Sequence, residues 1–144
     1  AQIKPVLKMA EGFFMQPPAL MEGHYGLESL LDEAYLAHRL VEEVNDLYIT
    51  HLGQPLIPLD TTIANLIAHR LIGEPFANQL DEAVHEAMQG LINQPIFSSP
   101  AVQAYRATLC SAHTNAAWQR WPCLSRQLGV ELELGQTRRS SLTV

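Results

Sequence analysis

The periodicity of apolar residues between positions 27 and 50 constrains the fold of this chain more than any other feature. Apolar side chains recur there at steps of three and four, namely Leu27, Leu30, Leu31, Ala34, Ala37, Val41, Val44 and Tyr48. This spacing predicts an amphipathic α-helix, because such positions share one face when a turn holds 3.6 residues. Gly53 and Pro55 follow as a conventional stop. The opposite face is expected to be wet and carries Glu28, Asp32, Arg39, Glu43, Asp46 and Thr50.

Three further helices are predicted downstream, and glycine or proline separates each from the next. The second covers about 61–72, with Asp60 as its N-cap and Gly73 at its end. The third begins at Pro75 and closes before Pro95, and the fourth begins at Ser99–Pro100 and extends to about Arg120. The residues expected to face inward are Ile63, Leu66, Ile67 and Leu71 on the second helix, Phe76, Leu80, Ala83, Val84, Ala87, Met88 and Leu91 on the third, and Val102, Tyr105, Leu109, Ala112 and Ala116 on the fourth.

These elements predict an all-α fold, with a four-helix bundle-like domain over residues 27–129. Residues 1–26 combine prolines and glycines with exposed-looking apolar side chains, so we expect an extended N-terminal arm with a short helical turn near Lys8 to Phe14. This arm should lie along the folded body or along a second copy of the chain. Residues 130–144 are expected to form a C-terminal extension, in which VELEL at 130–134 alternates as a short strand does.

Composition excludes several classes of function. The chain has 144 residues, of which 47% are hydrophobic and only 17% charged, so most of it is expected to be ordered. A net charge of −6 argues against nucleic-acid binding, which needs a basic surface. No stretch is apolar enough to span a bilayer and no secretory leader is recognisable, so we expect a cytoplasmic protein without membrane contact. Its two cysteines, Cys110 and Cys123, are too few for a disulfide framework and are expected to pack as small hydrophobic side chains. The alternative is a disulfide between them, which requires the chain to turn back at Pro122.

Histidine and carboxylate side chains at helical spacing raise metal binding as an alternative function. His38 and Glu42 are four residues apart on the first predicted helix, and Glu82 and His85 are three apart on the third. Imidazole and carboxylate together suit zinc, iron or manganese. A ferritin-like di-iron centre needs acids on all facing helices, and residues 95–130 contain none. What remains is a simpler divalent-metal site at these four residues, against the interpretation that they are solvated polar side chains.

Motifs for catalysis or for reading DNA are lacking. The chain contains no Gly-x-Ser-x-Gly, no His-Glu-x-x-His and no glycine-rich phosphate loop. Cys110 lies three residues before His113, but no group that would orient the pair is visible. Reading the second and third helices as a helix-turn-helix fails because residues 76–91 contain no Arg or Lys. The sequence therefore favours a protein that is not an enzyme and needs no cofactor.

The distribution of charge points to interaction surfaces. Residues 22–46 hold seven acids and one base, Arg39, whereas residues 95–130 hold three arginines and no acid. Acidic and basic helices of this kind match each other within a bundle or between subunits. Tryptophan and arginine also cluster at the end of the fourth helix. The leading hypothesis is therefore a homodimer or a partner-binding protein, with interaction residues Phe13, Phe14, Met15, Trp118, Arg120 and Trp121.

Overall fold

The computed structural model describes residues 3–57, 59, 61–92 and 94–119, apart from the side chains at 94, 95, 109, 115 and 117–119. Over this part the chain forms six α-helices, two short 3₁₀ turns and no strand, so the all-α prediction is confirmed. The helices are α1 (Ile3–Met15), α2 (Gly26–Leu52), α3 (Thr62–Ile72), α4 (Phe76–Leu91), α5 (Pro100–Leu109) and α6 (Ala112–Gln119). The 3₁₀ turns cover Ala19–Met21 and Gln94–Ser98.

Helix α2 is the centre of the fold, because α1, α3 and α4 all pack against it. Its fully buried residues include Leu36, Leu40 and Val44. The predicted inward positions Leu27 and Leu30 are instead exposed, by 85% and 51%. Nine helical steps of 100° place Leu27 on the side opposite Leu36. Steps of three outnumber steps of four in the predicted set, so the stripe turns around the helix and Val44 lies about 100° from Leu27.

The N-terminal segment differs from the extended arm expected from its prolines. It forms the 13-residue helix α1, and Pro5 is accommodated because it lies in the first turn, where no backbone hydrogen bond is lost. Val6 and Phe13 are buried in the common core, together with Met21 of the following 3₁₀ turn. The segment therefore lies along the body of its own chain.

Helix α3 is turned opposite to the prediction. Ile63, Leu66 and Leu71 are exposed by 52%, 58% and 70% instead of being buried. The buried residues on this side of the molecule are Thr61 and Asn65, at 5% and 4% exposure. Asn65 donates a hydrogen bond to Glu42 of α2, so a polar requirement sets the rotation of the helix. The predicted cap at Asp60 lies outside the described residues.

The connector between α2 and α3 is held by Asn45. Its Nδ2 donates to the carbonyl oxygen of Ile57 at 2.7 Å, and its Oδ1 accepts from the Ile57 N–H at 2.9 Å. Gly53, at φ +73°, ends α2 in the left-handed region that favours glycine. Tyr105 of α5 donates to the carbonyl oxygen of Leu56 at 3.2 Å, which ties the C-terminal helices to this connector.

The downstream helices follow the prediction in part. Leu80, Val84 and Met88 line the buried side of α4 as expected. Ser99 caps α5, since its Oγ accepts from the Val102 N–H. The single fourth helix is wrong, because α5 ends at Leu109 and α6 begins at Ala112. Cys110, between them, is exposed rather than packed.

The C-terminal predictions lie outside the described residues. These are the strand at 130–134, the tail, Cys123, Arg120 and Trp121. Within the described residues, no helix combines the length and apolar character that crossing a bilayer requires.

Candidate functional site

A network of charged side chains around Arg39 joins α2 to α4. The guanidinium donates from Nε to Asp81 at 3.0 Å, from Nη1 to Glu42 at 3.0 Å and from Nη2 to Glu43 at 2.7 Å. Glu42 and Glu43 lie three and four residues after Arg39, so all three share one face of α2. Asp81 comes from the first turns of α4, and its side chain is 30% exposed. One guanidinium therefore holds three carboxylates from two helices.

Tyr35 and Asn65 extend this network. Tyr35 lies four residues before Arg39 on α2, and its hydroxyl donates to Asp81 Oδ1 at 2.6 Å. Asn65 Nδ2 donates to Glu42 Oε2 at 2.5 Å and to Thr61 Oγ1 at 3.2 Å. A carboxylate can only accept hydrogen bonds, so the amide atom of Asn65 that contacts Glu42 is the nitrogen Nδ2. The amide oxygen Oδ1 is then the atom without a contact to Glu42. That oxygen is buried and is the one such side-chain atom without a hydrogen-bond partner in the described part of the chain.

Partial burial strengthens these interactions. The Arg39 side chain is only 18% exposed, and those of Glu42 and Glu43 are similarly covered. Burial opposes the charge of Arg39, but hydrogen bonds to Asp81 and Glu42 outweigh it and raise the pKa of Arg39 above its usual value. Burial, and then the hydrogen bond to Asp81, raise the pKa of Tyr35 well above its ordinary value. Tyr35 therefore stays protonated and acts as a hydrogen-bond donor.

A cleft of about 260 Å³ lies between α3 and the network. Its lining residues are Tyr35, Arg39, Glu42, Thr62, Asn65, Leu66, His69 and Asp81. His69 Nε2 contacts Asn78 Oδ1 at 2.9 Å and lies 3.7 Å from Asp81 Oδ2. We call this space the Arg39 cleft. It is polar on the α2 and α4 side and has an apolar margin at Leu66.

A second cleft, of about 400 Å³, adjoins the first and shares Glu42 and Thr62 with it. It runs between α2 and the connector, and Ile49, Ile57 and Leu59 give it an apolar wall. Asp46 lies at its margin. Burial, followed by the nearby charges of Glu42 and Glu43, raises the pKa of Asp46.

A buried carboxylate near the start of α2 forms a separate pair. Asp32 was predicted to be wet but is 1% exposed. His24 Nδ1 contacts Asp32 Oδ2 at 2.6 Å, and the His24 ring packs against Phe76 with centroids 4.6 Å apart. The pair links the segment before α2 to the beginning of α4. Asp32 is buried in this pair, whereas the side chain of His24 stays about 26% exposed.

The structure does not assemble the four residues proposed for a metal. Glu42 is engaged by Arg39 and Asn65, while His85 lies 3.7 Å from Glu43 and contacts Gln89. Glu82 and His38 are exposed on different helices. Among the described residues, no three His, Cys, Asp or Glu side chains are grouped so that they could hold a metal ion.

The predicted interaction residues of the N-terminal segment divide into two groups. Phe13 is buried in the core of its own chain, whereas Phe14 and Met15 are exposed at 41% and 75%. The side chain of Trp118 and the whole of Arg120 and Trp121 lie outside what is described. Phe14 and Met15 thus remain surface candidates.

Sequence reasoning missed the Arg39 network and the exposed side of α3. A signal was present, because Arg39 is the one base among seven acids in residues 22–46 and has acids at the i+3 and i+4 positions. Nothing in the sequence marked Asp81 as its third partner, 42 residues away. Comparison with protein-family models, curated proteins and solved structures finds no match to this chain.

Proposed function

We propose that this protein is a non-enzymatic interaction protein that self-associates through the outward face of α3. We define the α3 outer face as Ile63, Leu66, Ile67 and Leu71. The observation that carries the proposal is the rotation of this helix, which directs Asn65 inward and leaves three large aliphatic side chains more than half exposed. Large aliphatic side chains exposed together on one helix face are typical of a protein–protein contact.

The four side chains form one stripe. Taking Ile63 as the origin and 100° per residue, Leu66, Ile67 and Leu71 lie within an arc of about 140°. Fully burying a leucine or isoleucine is worth about 1.5–3 kcal/mol. Since Ile63, Leu66 and Leu71 are 52–70% exposed, each retains about 0.8–2 kcal/mol that a partner surface would recover.

The stripe is also complementary to itself. Ile63 and Leu71 are each four residues from Ile67. In an antiparallel pair related by a twofold axis at Ile67, Ile63 of one copy is level with Leu71 of the other along the helix direction. The sole charged residue on α3 is Arg70. Its two copies would lie about 9 Å apart along the helix direction, so like charges do not meet.

Sedimentation equilibrium of the full chain tests this proposal. The wild type is expected to dimerise, and the double variant Ile63→Gln/Leu71→Gln is expected to raise the dimer Kd by at least about 100-fold, because each substitution acts twice in a symmetric dimer. Leu27→Gln is the matched control, since Leu27 is 85% exposed on α2 and away from this stripe. A wild type that stays monomeric at several hundred micromolar refutes the proposal, as does a control that weakens the dimer equally.

Other sequence-based expectations enter the proposal with different support. We keep the proposal of a four-helix bundle, whose helices would be α2, α3, α4 and α5. A cytoplasmic location is likewise kept as a proposal. Exchange of the N-terminal segment between copies is no longer needed, because its apolar residues Val6 and Phe13 are buried on α2. Metal binding at His38, Glu42, Glu82 and His85 has no geometric support in this structure.

A further inference from the structure

The Arg39 cleft opens beside the α3 outer face, because Leu66 belongs to both. We propose that this cleft binds a guanidinium group and that Arg70 of a second copy supplies it. The inference rests on the proposed self-association through α3 and names the contact that would orient it. The partner copy thereby completes a site that each chain holds only in part.

The negative charge of the network and an acceptor atom without a donor suit this cleft to a cationic hydrogen-bond donor. Arg39 holds three carboxylates, of which Glu42 and Asp81 line the cleft and Glu43 does not; the network therefore carries three negative charges against the one positive charge of Arg39. The Nε, Nη1 and Nη2 atoms of Arg39 each already donate to one of these carboxylates. The buried Oδ1 of Asn65 accepts no hydrogen bond. An added cation with several N–H groups would reduce the excess charge and supply donors.

Helix geometry places Arg70 at the mouth of this cleft. In the antiparallel pair centred on Ile67, Arg70 of one copy is level with Ala64 of the other, three residues on either side of the axis. A twofold axis perpendicular to both helices brings like flanks together. Steps of 100° place Arg70 within the stripe, between Ile63 and Leu66 and on the side that leads to Thr62; Leu66 and Thr62 both line the cleft. Arg70 of the second copy therefore faces the space between them.

Arg70 is suited and available to play this part. It is exposed and forms no salt bridge with any residue in the described part of its own chain. A planar guanidinium contacts a carboxylate through two parallel hydrogen bonds and is more weakly hydrated than an ammonium group, so it enters partly buried acidic clefts more readily. Lysine at this position would keep the charge but lose the two-pronged contact.

A double-mutant cycle on the dimer Kd tests the inference. Arg70→Gln and Glu42→Gln are each expected to weaken the dimer about 10-fold or more, since each acts at two symmetric sites. The dimer Kd of the double variant should exceed the higher of the two single-variant Kd values by no more than about 2-fold, because both substitutions remove the same contact. Arg70→Lys should retain part of the affinity. Arg106→Gln, which removes an exposed arginine on α5, is the matched control and should leave Kd unchanged.

The outcomes separate this inference from the proposed function. If Ile63→Gln/Leu71→Gln dissociates the dimer while Arg70→Gln does not, the α3 contact stands and the guanidinium contact is refuted. Strict additivity of Arg70→Gln and Glu42→Gln refutes it as well, even if both weaken the dimer. Circular dichroism of Glu42→Gln checks that its fold is kept. If that variant unfolds, Asp81→Asn takes its place in the cycle, with the same expected coupling.

Discussion

Replacement of Arg39 by methionine is the sharpest perturbation of the α2–α4 contact. The variant keeps a side chain of similar length but removes three hydrogen bonds to carboxylates, at 2.7–3.0 Å. It leaves Glu42, Glu43 and Asp81 close together without a counter-charge. The loss is therefore larger than that of one surface ion pair, whose median contribution is only about 0–1 kcal/mol.

The magnitude follows from the degree of burial. Removing one member of a fully buried ion pair costs about 3–5 kcal/mol. Here the four side chains are 18–30% exposed, so water screens part of the repulsion. We expect Arg39→Met to lower the free energy of unfolding by about 2–4 kcal/mol. For a slope of about 2 kcal/mol per molar urea, that is a fall of about 1–2 M in the unfolding midpoint.

Urea titration followed by circular dichroism at pH 7 measures this effect. Arg106→Met, at an exposed position of α5, is the matched control and should change stability by less than about 0.5 kcal/mol. A gap below about 1 kcal/mol between wild type and Arg39→Met, or a control that loses as much stability, refutes the reasoning.

Three further variants test other parts of the fold by the same urea titration. Leu40→Ala should lower the free energy of unfolding by about 2–5 kcal/mol, because Leu40 is fully buried in the centre of α2; a loss below 1 kcal/mol would contradict its place in the core. Gly53→Ala should cost about 1–2 kcal/mol, since φ at this helix end is +73°; no loss would mean that the end of α2 adopts another conformation. Asp46→Asn should stabilise the protein at pH 7 by up to about 0.5 kcal/mol, because the raised pKa of Asp46 means that its ionised form opposes folding. This gain should vanish below pH 3, and a net loss at pH 7 would contradict the sign.

The positions of α2, α3 and α4 and the start of α5 could be predicted from the sequence, whereas helix α1 and the break between α5 and α6 could not. The orientation of the helices could be predicted only in part. Local signals account for the successes, since Gly53 ends α2 and Ser99 caps α5 through atoms a few residues away. Helix α3 was misoriented because periodicity counts apolar residues and ignores what a polar residue needs. Asn65 finds its partner, Glu42, 23 residues earlier in the chain.

The candidate site could not be assembled from the sequence for a similar reason. Glu42 was selected for its spacing from His38, which suits a metal, but its carboxylate is taken by Arg39 and Asn65. A spacing of three or four residues shows that two side chains share a face. It does not show which helix covers that face, and here the covering residue is Asp81 on α4.

The contact between His24 and Asp32 has a consequence for how this chain can be shortened or fused. His24 belongs to the segment before α2, yet it contacts the carboxylate of Asp32, a residue that is 1% exposed. Its ring also packs against Phe76 at the start of α4. Cutting the chain at position 26 would remove this histidine together with the core residues Val6 and Met21. Residues 1–26 are thus not a detachable leader: a tag is better joined ahead of α1, and a trimmed chain starting at α2 should express as an unstable or aggregating protein.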